Sequence, residues 1–211
     1  MSANPISLSE IPGIWRGERI RTKSPTEPTG SHELDDAVLG GWPIGALTQI
    51  IGTHEGLGFS LAIPTLARLT QAGRYVGLVQ SPFLPYAPSL SSQGVDLKHL
   101  LWVQPADPIQ ALWAMEQMIR SGLFSAVAYW GKPLDGTSER RLQLAADAGH
   151  CLAFCFRHGR SDDHTYAALR LKVAPATRSR LKVDVLKCRG GRAGFSVIQP
   201  PAPSFSRRPA A

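Results

Sequence analysis

The residues whose types and spacing come nearest to chemistry lie between Leu34 and Ser60, in the stretch LDDAVLGGWPIGALTQIIGTHEGLGFS. Leu47, Ile50 and Ile51 run up to Gly52, a turn carrying Gly56 and Gly58 follows, and Ser60–Ala72 is helix-compatible. Strand, glycine turn and helix in that order is the layout of a phosphate-binding loop. In a working loop, G-x-x-x-x-G-K-[ST], backbone N–H groups cradle the phosphates, the lysine reaches the β and γ oxygens and the hydroxyl holds Mg²⁺. Counted from Gly52, the second glycine, the lysine and the hydroxyl residue are replaced by Leu57, Gly58 and Phe59.

Two further groups would complete an NTPase. An acid at the end of an apolar strand would bind Mg²⁺, but AVAYW ends in Trp130. A carboxylate after the strand YVGLVQ would orient the attacking water, but Gln80, Ser81 and Pro82 stand there. Each such group commonly contributes about 10²-fold or more to rate, so the expectation is a degenerate nucleotide site with no catalytic residue and no bound cofactor. Glu55 and Asp135 are the nearest stand-ins, and Glu55 would set a negative charge inside a phosphate loop. Ser60 lacks the G-x-S-x-G elbow of a hydrolase nucleophile, and no histidine pair at i, i+4 suggests a metal.

HCLAFCFRH places Cys151 and Cys155 between two histidines. Read as a buried strand, it separates the two sulfurs by about 13 Å, whereas zinc ligands sit only about 2.0 to 2.3 Å from the metal; no metal site is assigned. With Cys188 the cysteines are few and odd in number, which fits a reducing compartment. No apolar run reaches the roughly 18 residues of a membrane span and no signal-peptide plan opens the chain, so a cytoplasmic location is expected.

The elements that must position these groups alternate. Strands are expected at Tyr75–Gln80, Leu100–Gln104, Ala126–Trp130 and Cys151–Phe156. One helix starts at the N-cap Asp107 with Pro108 in its first position and stops before Gly122; a second spans Ser138–Ala148. This pattern predicts βαβ units and a mostly parallel sheet flanked by helices. After Thr165 the segments Tyr166–Val173, Leu181–Leu186 and Phe195–Ile198 have no long helix between them and read as an antiparallel C-terminal extension. The proposed organisation is a flexible, Pro- and Ser-rich arm over residues 1–31, a core domain over 32–198 and a disordered basic tail over 199–211. Within the arm, Trp15 is a candidate docking residue for a partner.

The chain has a net charge of +7. All of the excess lies after Ala176, in Arg178, Arg180, Lys182, Lys187, Arg189, Arg192, Arg207 and Arg208 against Asp184. Such segregation points to a polyanion or an acidic partner. Arg178 to Arg192 are therefore the candidate nucleic-acid or partner contacts, against the plainer reading of a solvated tail.

Taken in order, GGWPIGALTQIIG, PFLPYAP, GVDLKHLLWVQP, ALWAMEQMIRSG and LKVDVLKCRGG resemble the ImuA family of translesion-synthesis-associated, RecA-like proteins. The likeness runs from about Ile11 to Phe195. A more distant similarity is to the RecA recombinase core. On that pattern Gly58 falls on the phosphate-loop lysine, Phe59 on the hydroxyl residue, Trp130 on the Mg²⁺-binding acid and Pro82 on the catalytic glutamate. Ser89 falls on the adenine-stacking tyrosine. The resemblance implies an α/β fold with a RecA-like P-loop core. It also implies a non-catalytic accessory role in SOS-induced, error-prone DNA synthesis, with an ImuB-type inactive relative of Y-family polymerases, RecA and, indirectly, an error-prone C-family polymerase as partners. A SulA-type inhibitor of cell division and a degenerate NTP-binding enzyme are the alternatives.

Overall fold

The computed structural model describes residues 25–131, 133–159, 165–177 and 180–199. Trp15, Arg178 and the tail from residue 200 lie outside the described residues.

Among the described residues, ten strands and five α-helices follow in the order β1 (Thr26–Glu27), α1 (His32–Ala37), β2 (Trp42–Pro43), β3 (Ala46–Gly52), α2 (Phe59–Gln71), β4 (Tyr75–Val79), α3 (Ala87–Ser92), β5 (Leu100–Val103), α4 (Pro108–Arg120), β6 (Phe124–Trp130), α5 (Gly136–Gly149), β7 (Leu152–His158), β8 (Leu169–Thr177), β9 (Arg180–Cys188) and β10 (Phe195–Gln199), with a 3-10 turn at Leu97–His99 before β5. Eight strands form one sheet in the order β10-β9-β8-β3-β7-β6-β4-β5. Pairing is parallel from β8 through β5 and antiparallel from β8 to β10.

The helix ends obey their local chemistry. Asp107 accepts from the Ile109 N–H at 2.9 Å to open α4, and Asp135 accepts from the Ser138 N–H at 2.7 Å to open α5. Every residue of β3 is buried, which fits a central parallel strand covered on both faces. Its alternate side chains feed two cores. Ile50 packs with Leu66, Leu78 and Phe154 on the α2 side. Leu47 packs with Met115, Ile119 and Leu142 on the side of α4 and α5. Burying each such side chain stabilises the fold by about 1.5 to 3 kcal/mol.

The expected antiparallel extension is present in β8, β9 and β10, which pair antiparallel in that order; on its other side β8 pairs parallel to β3, Thr48 opposite Leu169 and Gly52 opposite Val173, and so joins the extension to the core sheet. Residues before 32 also pack against the core. The Trp42 indole donates to Thr65 Oγ1 at 3.1 Å, Thr65 Oγ1 donates to the Pro28 carbonyl at 2.8 Å, and Arg68 pairs with Glu27 at 3.0 Å. This clamp explains the glycine before Trp42: a Cβ on Gly41 would lie 2.2 Å from the Glu27 carbonyl oxygen.

Candidate functional site: a glycine turn beside an aromatic stack

Two backbone donors of the turn between β3 and α2 close on the turn itself. The Leu57 N–H donates to the His54 carbonyl at 3.3 Å and the Phe59 N–H to the Gly56 carbonyl at 3.4 Å. Gly58, at the lysine position, caps α2 in the left-handed region with φ 95°. A Cβ there would meet Ile50 Cγ2 at 2.6 Å. Gly52 is equally tight, its Cβ position lying 2.9 Å from the His54 oxygen and from Leu57 Cβ. These glycines, with Gly56 at φ 76°, are therefore set by backbone geometry. Glu55 leaves the turn toward His158, at 3.7 Å, and both side chains are exposed.

Phe59 is the first residue of α2 and Trp130 the last of β6. Sheet order puts β7 between β3 and β6, and Phe156 of β7 is in register with both Ile50 and Trp130. The three rings meet. The Phe59 and Trp130 centroids lie 5.0 Å apart edge to face, Phe59 and Phe156 lie 5.7 Å apart, and Trp130 stacks on Phe156 at 4.8 Å with planes inclined by 14°. Each such pair contributes about 0.5 to 1.5 kcal/mol beyond its buried area. In a phosphate loop the hydroxyl and the acid at these two positions converge on Mg²⁺; here the same convergence builds an apolar stack.

Pro82 and Ser89 line a groove of about 230 Å³ beside this stack, together with Phe59, Phe83, Tyr86 and Trp130. The groove opens at the carboxyl ends of β4 and β6, where ligands of open parallel sheets bind. Just before it, Gln80 holds φ 55°, which is rare for a residue with a side chain.

The basic candidates divide. Arg180, Arg189 and Arg192 are exposed. Lys182 pairs with Asp184 at 3.0 Å, and Asp184 is held below the usual carboxylate range, first by the Ser196 hydroxyl and then, against some burial, by Lys182. Lys187 is turned inward: its ammonium donates to the Thr165 carbonyl at 2.7 Å, and burial, then Arg189 and Arg170, push its pKa down. It belongs with the buried carboxylate Glu139, which accepts from Gln49, from Thr165 Oγ1 at 2.7 Å and from the Tyr166 N–H at 3.0 Å. Cys151 and Cys155 lie in the core of the α4 and α5 side.

Sequence reasoning missed the free edge of the sheet. Among the described residues, β5 pairs only with β4. Because the Val103 carbonyl accepts from the Gln80 N–H, strand alternation turns the N–H and C=O of Trp102 away from β4. Leu101, Trp102, Ile109 and Trp113 are exposed around this edge. Their apolar types were legible; their lack of cover was not, because it depends on sheet order.

No protein-family model matches the chain. Its sequence is similar to Protein RecA of Crocosphaera subtropica, 31% identical over 111 residues, which are 53% of this chain and 32% of that protein. It is similar to Protein RecA of Bacillus subtilis, 30% identical over 112 residues, again 53% and 32%. The chain thus spans about a third of the length of these curated relatives. In three dimensions it is similar to the RadB recombinase, with a TM-score of 0.68 at 14% identity, covering 83% of this chain and 96% of that one. The chain is homologous to RecA over about half its length, and its fold is the RecA- and RadB-like α/β fold with a mostly parallel sheet. No helix among the described residues is long and apolar enough to cross a membrane.

Proposed function

We propose that this chain is a non-catalytic, RecA-like accessory factor of SOS-induced, error-prone translesion DNA synthesis. It binds RecA and an ImuB-type inactive relative of Y-family polymerases, and through the latter works with an error-prone C-family polymerase. The observation that carries this reading is the stack of Phe59 on Trp130 within a RecA-like fold. Residues at the two Mg²⁺-holding positions have become packing, and Gly58 has no room for the lysine. The ordered motifs PFLPYAP, GVDLKHLLWVQP and ALWAMEQMIRSG support the choice of partners. A RecA-shaped surface that cannot gate on ATP would join the side or end of a RecA filament without propagating it.

Co-sedimentation with RecA on single-stranded DNA tests this, with and without ATP. Binding to RecA in at least one nucleotide state, with no ATP turnover by the chain alone, is the expected result. Absence of binding in every state would sink the RecA contact, and cell filamentation on overexpression would favour a SulA-type division inhibitor instead.

A further inference from the structure

The groove beside the aromatic stack is a surface that the loss of nucleotide chemistry does not explain. Its walls come from α2, α3 and the PFLPYAP segment, and none of its lining residues is charged. Three large apolar side chains stand at its mouth, Phe83, Leu84 and Tyr86, at 65%, 73% and 69% exposure. Such a concentration of exposed apolar surface marks a binding region. Trp130, only 7% exposed, forms part of the lining, and its buried indole N–H finds no acceptor among the described residues. A buried donor without a partner costs about 1 to 3 kcal/mol.

We propose that this groove docks an uncharged, proline-rich segment of a protein partner, one large apolar side chain entering it and a peptide carbonyl accepting from the Trp130 indole. Three observations select that occupant. With no cation or anion in the lining, charge complementarity excludes phosphates, nucleic-acid backbone and acidic or basic peptides. The volume of about 230 Å³ lies below the roughly 300 to 1,000 Å³ of pockets for whole small ligands, and the three exposed rim residues extend the contact beyond any ligand that small. Aromatic-lined grooves receive extended proline-rich segments, which bring carbonyl acceptors with little loss of chain entropy. The indole N–H is covered in the free chain, so docking includes a small local displacement that uncovers it. This deepens the accessory-factor reading by naming a partner surface, but the groove stands whether or not RecA is bound.

The test is titration of the full-length, ¹⁵N-indole-labelled chain with the blocked peptide acetyl-Pro-Pro-Leu-Pro-Phe-amide. Its control is the same peptide with Asp in place of Leu and Phe. Expected is a saturable shift of the Trp130 indole resonance with the first peptide only, at least a tenfold weaker affinity in Phe83→Ala or Tyr86→Ala, and loss of the indole shift in Trp130→Phe. The rim variants alter exposed side chains and leave the core intact. No shift at millimolar peptide would overturn the proposal, as would equal binding of the acidic control. Protection of the Trp130 N–H in the free chain that Phe205→Ala abolishes would also overturn it, assigning the groove to the chain's own PPAPSF segment. RecA co-sedimentation that fails while the titration succeeds would reject the accessory reading and leave the groove standing.

Discussion

The ring of Phe59 lies edge to face on Trp130 at a centroid distance of 5.0 Å, joining the start of α2 to the end of β6. A substitution at either position therefore acts on packing first. Trp130→Ala is expected to cost about 3 to 5 kcal/mol of stability, and Trp130→Asp more, because its carboxylate would be buried without a partner. Denaturant midpoints rank the two variants. Gly58→Lys, alone or with Phe59→Thr and Trp130→Asp, is expected to show no ATP turnover above background in a phosphate-release assay; measurable turnover would reverse the non-catalytic reading.

Two glycines with positive φ separate strain from crowding. Gly122 holds φ 68° and has nothing within 4 Å of its Cβ position, whereas Gly58 faces Ile50 Cγ2 at 2.6 Å. Gly122→Ala should lose about 1 to 2 kcal/mol for left-handed backbone alone. Gly58→Ala should lose at least about 1 kcal/mol more, read as a lower unfolding midpoint.

Alkaline pH should weaken the fold in a defined window. Burial pushes the Cys151 thiol from its ordinary 9 up to about 12, and burial, then Cys155, pushes the Tyr129 phenol from 10 up to about 12. Both groups are held protonated in the folded state, so their contribution is whole below about pH 9 and is lost as pH rises through 12. Unfolding midpoints taken from pH 8 to 11.5 should be flat and then fall, and Tyr129→Phe should flatten the part above pH 10. A midpoint that rises with pH in this range contradicts the assignment.

Among the basic residues, Arg189→Ala with Arg192→Ala should weaken any binding to single-stranded DNA while leaving stability within about 0.5 kcal/mol. The slope of log affinity against log salt should shallow by up to about 0.7 for each phosphate that is no longer neutralised. Lys187→Ala should behave in the opposite way, lowering the melting temperature, because it frees the Thr165 carbonyl that the lysine ties down.

If the proposed contact with RecA is made by strand addition, the edge at β5, unpaired among the described residues and flanked by apolar side chains, is its candidate surface. Leu101→Lys and Trp102→Ser should each reduce co-sedimentation with RecA about tenfold or more. Unchanged co-sedimentation would move the contact elsewhere.

Much of this was legible from short-range chemistry. Gly52 closing β3, Asp107 and Pro108 opening α4, and Trp130 ending β6 all follow from residue type and local spacing. What was not legible depends on which strands become neighbours. Phe59 and Trp130 were visible as replacements, but their mutual packing requires Phe156 on the intervening strand. The same holds for Gly41 against Glu27, for the pairing of β8 with β3 and for Lys187, whose charge sums with its neighbours in sequence while its ammonium is tied down inside the fold.

The aromatic stack also bears on descent. Had an ancestor carried a lysine, a hydroxyl and an acid at residues 58, 59 and 130, a lineage could now recover them only by changing all three. Each first change would forfeit packing or impose strain while restoring no complete site for metal and phosphate. On that premise single-step intermediates would be disfavoured, so the exchange of a nucleotide site for a packed core would act as a ratchet, with later change confined to the surface.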